Sequence, residues 1–366
     1  MLDLKFIREN ADLVRQSMIR RHQETSLVDE VIALDDERKR LILESETRKS
    51  ERNTVSKQIS QMKDAAERQA KIEAMRRLGD EITQLDTDLK EVEKKLRHQQ
   101  ASIPNIPDAD VPEGKDDSDN VVLETFGEIK TFDFEPKPHW ELGPALGILD
   151  FDEGVKLSGT RFYVLKGAGA RLQRALIFWM VDLHIRQGWQ EYYTPWMVKE
   201  EILFAAGELP KFAPNLYHDA ESDFWWVPTA EVPLTGVMMD TVSDEKDLPL
   251  HLTAYSACFR REKMSAGRDV RGMKRGHQFD KVEMYTYCKP EDSDAELERM
   301  VRDACQTCVE LGLTYRTKLQ STGDLGEKQH KTIDIEVWAP GCQEWLEVSS
   351  CSKVGEYQAR RSNMKY

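Results

Sequence analysis

FRREKMSAGRDVRGMKRGHQF, residues 259–279, gathers seven Lys or Arg side chains in a chain whose formal net charge is −14. Its flanks decide how it is read. LTAYSACFRRE before it and FDKVEMYTYC after it are rich in aromatic and β-branched residues, so the pattern predicts two antiparallel strands with SAGRDVRGMKRG arching between them. Alternation with period two then puts Arg260 and Glu262 on one face, with Arg261 pointing away, and puts Phe279 and Glu283 together on the returning strand. One surface would carry a guanidinium that grips phosphate, a ring that stacks on a base and carboxylates that accept from an amine. The loop adds Arg268, Arg271, Lys274 and Arg275 beside glycines that permit close backbone approach, a composition suited to a polyphosphate. A solvated basic hairpin accounts for the charges, but not for Glu262, Phe279 and Glu283 at facing positions.

Outward from this hairpin, from about residue 121, helical patterns (GARLQRALIFWMVDLHIRQG, DAELERMVRDACQTCVELG) interleave with short β-rich runs (FWWVPT, TIDIEVWAP, QEWLEVSSCS). The fold class expected is α+β, an antiparallel sheet flanked by helices rather than a Rossmann alternation. There is no Walker A pattern, and no G-x-G-x-x-G follows a strand, so a nucleotide would be held by side chains on a sheet. Of six Cys, only Cys305 and Cys308 have ligand-like spacing. They lie inside a helical pattern with no second Cys/His pair nearby, which favours core packing over zinc. The longest apolar run, around ALIFWMVDL, is too short to span a bilayer, the start MLDLKFIREN lacks a signal-peptide core, and the thiols fit a reducing compartment. A cytoplasmic protein with no membrane partner is expected. With this acidic balance any nucleic acid must be held by local patches.

Residues 27–100 are densely charged, lack Pro and carry two heptad series. Leu78, Ile82, Leu85, Leu89, Val92 and Leu96 form a clean seam; Val31, Leu34, Leu41, Val55, Ile59 and Met62 form a weaker one, shared with Arg38, Ser45, Arg48 and Arg52. Two helices turning back near 63–67 would make an antiparallel coiled-coil arm on the order of 50 Å long. Such an arm is either a dimerising coiled coil or a device that reaches something large. Ahead of it, DLKFIRENADLVRQSMIRR reads as one amphipathic helix anchored by Phe6, Leu13, Val14 and Met18. After it, ASIPNIPDADVPEGKDDSDN, with three Pro and five Asp in twenty residues, reads as a linker. The domains expected are therefore an arm at 1–104, a linker at 105–120 and a sheet domain at 121–366.

Taken together, the MLDLKFIREN start, the arm, the IPNIP linker, ARLQRALIFWMVDL followed by Pro195, PTAEVPLTG, the FRRE…RG…HQFDKVEM block, TGDLG, and EVSSCS followed by YQARRSNMKY resemble the bacterial type of seryl-tRNA synthetases, a class II aminoacyl-tRNA synthetase family, over the whole chain. The resemblance implies a serine–tRNA ligase that uses ATP to form seryl-adenylate and passes the seryl group to tRNA(Ser), with tRNA(Sec) expected as a second acceptor, and no DNA. It implies that Arg260 holds the α-phosphate, Glu262 accepts from the adenine amine, Phe279 stacks on adenine and Arg275 reaches the γ-phosphate, with Arg261 beside them. Thr229, Ala230, Glu231 and Glu283 match the serine pocket. Glu347, Val348, Ser349 and Ser350 match an ATP-binding strand on which Glu347 and Ser350 hold Mg2+ with ATP. Strict alternation would put those two on opposite faces, so that strand must bulge or end between them.

The resemblance also implies a homodimer through the segment from Arg171 to Pro195, whose apolar face is Leu172, Leu176, Met180 and Leu183. Two departures from the family accompany it. TGDLG continues as EKQHKT, where the family often has apolar or small residues. The family's third motif, which supplies a further ATP-binding Arg and a polar residue of the serine pocket, is missing after Tyr366, so the sheet domain is expected to be C-terminally truncated. That gap keeps open a second reading, a non-catalytic tRNA- or nucleotide-binding protein on the same scaffold.

Overall fold

The computed structural model describes residues 1–263 and 271–366, so Arg268 lies outside the described residues. The chain forms two compact units. One comprises Leu2–Ile19 and Gln23–Ile103; the other comprises Met1, Arg20–His22 and Pro104–Tyr366.

In the smaller unit, helices α3 (Ser26–Gln61) and α4 (Ala65–Ser102) pair antiparallel. The turn is set by Asp64, whose carboxylate accepts from the Ala66 and Glu67 N–H groups and caps α4. All six apolar residues of the clean seam are buried or half-buried. The polar positions of the weaker seam find partners both across the pair and along their own helix. Ser45 is buried and donates to Asp86 at 2.8 Å, and Lys49 reaches the same carboxylate at 2.8 Å. Asp35, 1% exposed, is held by Arg8, Arg38 and Lys39 at 2.7 to 3.1 Å, which accounts for Arg38 within an apolar series. The expected single N-terminal helix is two, α1 (Leu4–Glu9) and α2 (Ala11–Arg20), broken at Asn10. The break rotates the buried stripe to Ile7, Val14 and Met18 and leaves Leu13 exposed.

The larger unit holds two principal sheets. The first runs β1 (Val121–Phe126), β4 (Tyr315–Leu319), β5 (Lys331–Ala339), β6 (Glu344–Lys353), antiparallel throughout. Helix α7 (Ser293–Glu310) packs on it, with Leu297, Ala304, Cys305 and Cys308 against Tyr315, Ile335 and Cys351. Cys305 and Cys308 are thus core residues, and burial pushes both thiols up to about 11. The second sheet is the expected hairpin, β2 (Leu250–Phe259) with β3 (Gln278–Tyr287), plus the two-residue strand Gln190–Glu191 parallel to β2. Sequence patterning omits β1 and β4, although YRTKL alternates cleanly, with Tyr315, Thr317 and Leu319 buried.

Helix α5 (Ala168–Arg186) carries the apolar segment that ends toward Pro195. Of the face expected there, Leu183 is buried, Leu176 and Met180 are half-buried and Leu172 is 58% exposed; Phe178, outside that expected face, is 61% exposed. The Pro/Asp-rich stretch is bonded into this unit: the Asn105 side chain donates to the Lys328 and Val354 carbonyls, and its N–H donates to the Glu327 carbonyl. No helix among the described residues is long and apolar enough to cross a membrane.

Candidate active site

Strand β2 ends at Phe259, one residue before the basic stretch leaves the ladder. The Arg260 N–H still donates to the His277 carbonyl, whereas the Arg261 N–H turns to the Asn215 carbonyl. Glu262 has φ +49°, a left-handed conformation uncommon for a side-chain-bearing residue. The expectation that strand alternation alone aligns Arg260 with Glu262 is therefore corrected, because the backbone turns between them. What joins Glu262 to the site is Arg275, 3.7 Å from its carboxylate. Arg260 lies over the Phe279 ring at 5.1 Å and donates through Nε to the Pro228 carbonyl at 3.2 Å. Arg261 stacks on Tyr217 at 4.9 Å, on a separate course as expected.

Beyond Pro228, at the start of helix α6 (Glu231–Gly236), lies a carboxylate cluster. Thr229 donates to Glu283 at 2.6 Å, its hydroxyl accepts from the Glu231 N–H, and Lys281 reaches both Thr229 at 2.6 Å and Glu283 at 2.5 Å. Phe279, Lys281 and Glu283 follow one another at period two on β3, so the sheet itself aligns ring, ammonium and carboxylate. Glu231 is held by Lys328 at 2.8 Å and by the Gln358 amide at 2.6 Å. Burial alone would raise its pKa, but Lys328, then Lys281 and Gln358, hold it below the ordinary carboxylate value. Tyr285 continues the network, donating to Gln358 and accepting from Thr235. Ala230 is fully buried among Leu234, Leu252, Ala254 and Tyr287, so its methyl anchors the turn rather than lining a polar site.

On the other side of Arg260 stands β6. Its register against β5 shifts between Ile335 and Glu336: Ser350 pairs with Asp334, Ser349 with Ile335 and Glu347 with Glu336, leaving Val348 as the extra residue. This is the bulge expected if Glu347 and Ser350 share one site, as the resemblance implies. It brings Glu347 and Ser350 onto one face, with Asp334 and Glu336 opposite them. Ser350 donates to Asp334 at 2.6 Å, as does Gln320 at 2.9 Å. Burial, then nearby Asp324 and Glu336, still raise Asp334. Glu347 is exposed to solvent, yet the protein around it still desolvates its carboxyl. That desolvation, then Asp334 and Asp324, push it up to about 7 against the pull of Arg260 and Arg275.

Lys281, Lys328, Gln358, Asp334 and Asp324 were not singled out by sequence reading. Lys281 had a signal, its place between Phe279 and Glu283. Lys328 comes from EKQHKT, a run that carries no periodicity. Asp334 and Gln358 reach the site only through tertiary packing. At the base of the basic loop, Arg271 and Lys274 both lie over Trp140, at 5.0 and 5.1 Å; Lys274 also pairs with Glu344, and the Met273 N–H donates to His139 at 2.9 Å.

Comparison with known proteins agrees with this geometry. Residues 1–107 match the seryl-tRNA synthetase N-terminal domain, and residues 215–366 match the tRNA synthetase class II core domain (G, H, P, S and T). A serine–tRNA ligase of Chloroflexus aurantiacus is 59% identical over 366 residues, spanning all of this chain and 86% of the relative. Among solved structures, the seryl-tRNA synthetase of Pyrococcus horikoshii complexed with ATP superposes with a TM-score of 0.88 at 34% identity, covering 99% of this chain and 86% of the other. The cytoplasmic serine–tRNA ligase of Naegleria fowleri in complex with AMP gives 0.83 at 28% identity, covering 100% and 86%.

Proposed function

The chain belongs to the seryl-tRNA synthetase family, and from that premise we propose how its residues carry out the ATP-dependent ligation of serine to tRNA. A serine carboxylate oxygen attacks the α-phosphorus of ATP in line and diphosphate leaves, giving seryl-adenylate. A terminal ribose hydroxyl of tRNA then attacks the seryl carbonyl, losing its proton, and AMP leaves. The observation that carries the assignment of residues is the position of Arg260. It is bonded to Pro228 beside the Thr229–Glu283 pair, stacked over Phe279, and close enough to Glu347 to pull against the rise of that carboxyl.

In this reading Thr229, Glu231 and Glu283 take the serine ammonium and hydroxyl, Phe279 stacks on adenine, and Arg260 neutralises charge gathering on the α-phosphate. Glu262 accepts from the adenine amine. Arg275, which borders it, reaches outward to the γ-phosphate, with Arg261 flanking the nucleotide. Glu347 and Ser350, with Asp334 behind them, offer hard oxygen donors whose raised carboxyls fit a cation that keeps water and phosphate ligands, so they suit Mg2+. When bound there with ATP, Mg2+ would offset phosphate charge. Residues 1–104 would lie along tRNA(Ser), and along tRNA(Sec) if that is also charged, gripping backbone and shape, while 121–366 carries the chemistry. The exposed apolar residues Leu172 and Phe178 on α5 support pairing of two copies.

Serine-dependent exchange of diphosphate into ATP tests the assignment. Arg260→Ala should lower the exchange rate about a hundredfold while changing apparent ATP affinity little, because the guanidinium gains most as charge builds in the transition state. A variant that altered only ATP affinity would assign the contact to the ground state.

A further inference from the structure

Three carboxylates and two ammonium groups meet around the serine end of the site: Glu208, Glu231 and Glu283 against Lys281 and Lys328. Lys328 is the more enclosed of these two lysines, with a side chain 12% exposed against 33% for Lys281, and it bridges Glu208 and Glu231 at 2.8 Å each. Gln358 binds the same Glu231 oxygen, Oε1, at 2.6 Å, so lysine and amide together fix one oxygen of this carboxylate.

We infer that Lys328 is a positioning residue for serine: it holds Glu231 ionised and in one rotamer, with its other oxygen left for the substrate. The inference rests on the assignment of Glu231 to the serine pocket. Its basis is charge balance in a desolvated place. With both lysines present the five groups sum to one negative charge, which one substrate ammonium completes. Without Lys328 the sum is two, and a buried carboxylate lacking its cation takes up a proton instead of a ligand. The other groups facing Glu231 do not replace the lysine. Lys281 on β3 is engaged by Glu283 and Thr229, and Tyr285 on the same strand is a neutral phenol. On helix α8 (Tyr357–Ser362), Gln358 is uncharged and Arg361 is turned to the Phe204 and Leu209 carbonyls. Glu208 adds negative charge.

The test is Lys328→Met in the full chain, with serine and ATP varied separately and with Glu231→Gln in parallel. The expected result is a rise in serine KM of about tenfold or more, the size of a lost charge-assisted contact, with ATP KM within about threefold. The ratio of variant to wild-type kcat/KM for serine should also fall as the pH is lowered, because a Glu231 without its lysine takes up a proton more readily. Taking the ratio removes titrations common to both proteins. If Lys328→Met does not fold, Lys328→Met with Glu208→Gln, which strands one carboxylate fewer, carries the same measurements. Failure of both to fold by circular dichroism would make the lysine a packing requirement and overturn the inference. Unchanged serine KM and a flat pH ratio, while Glu231→Gln raises serine KM, would overturn the inference and spare the pocket. Unchanged serine KM in Glu231→Gln would remove the pocket assignment itself.

Discussion

Glu347 should make nucleotide binding release protons near neutral pH. Its carboxyl, though exposed to solvent, is pushed up to about 7 in the free protein by desolvation from the protein around it and by Asp334 and Asp324, while Arg260 and Arg275 pull the other way. A group with that pKa is about half protonated at pH 7, about nine-tenths at pH 6 and about one-tenth at pH 8. If Glu347 holds Mg2+ with ATP as proposed, it must be ionised to do so, and about half a proton per site should then leave at pH 7 and nearly a whole one at pH 6. Titration calorimetry in two buffers of different ionisation enthalpy, without serine so that no turnover occurs, gives the number directly. Subtracting the same measurement on Glu347→Gln removes protons belonging to the nucleotide. The sign for stability is the reverse of an ordinary salt-bridged carboxylate. The folded chain binds more protons than the unfolded one between the unfolded value and about 7, so Glu347 costs the free protein stability as pH rises through that window. Glu347→Gln should therefore melt higher than wild type at pH 8, with the difference shrinking toward pH 5. Identical buffer dependence in wild type and Glu347→Gln at both pH 6 and pH 7 would refute the reasoning.

Deleting residues 30–98 should abolish charging of tRNA while leaving diphosphate exchange within a few-fold, since the arm is a compact unit of its own; loss of exchange in a folded deletion would refute that division. Leu172→Asp together with Phe178→Asp should dissociate a homodimer without unfolding the chain, as both side chains are already mostly exposed in one copy. Sedimentation velocity would show it, and an unchanged sedimentation coefficient would exclude this face as the contact.

What the sequence by itself determined is whatever depends on short-range periodicity. The arm was legible because six residues at steps of three and four must share one helical seam, and α4 buries or half-buries all of them. The line Phe279, Glu283 was legible for the same reason at period two, and Lys281 could have been. Once the family resemblance put Glu347 and Ser350 in one site, alternation required a bulge between them, and the register shift at Val348 supplies it. Resemblance to a known family then attached roles to those residues. Tertiary structure decided what lies on the other side of each. Asp334 faces Ser350 only because β5 and β6 pair in one register, and Gln358 and Lys328 meet Glu231 from segments 127 and 97 residues away in the chain. A left-handed residue at Glu262 ended a strand that alternation would have continued, and packing of α5 hid Leu183 while leaving Phe178 exposed. Periodicity is a property of a local backbone and survives in one dimension. The charge state of a buried carboxylate depends on which cations packing brings within a few ångströms, and the order of residues does not encode that distance until the chain has folded.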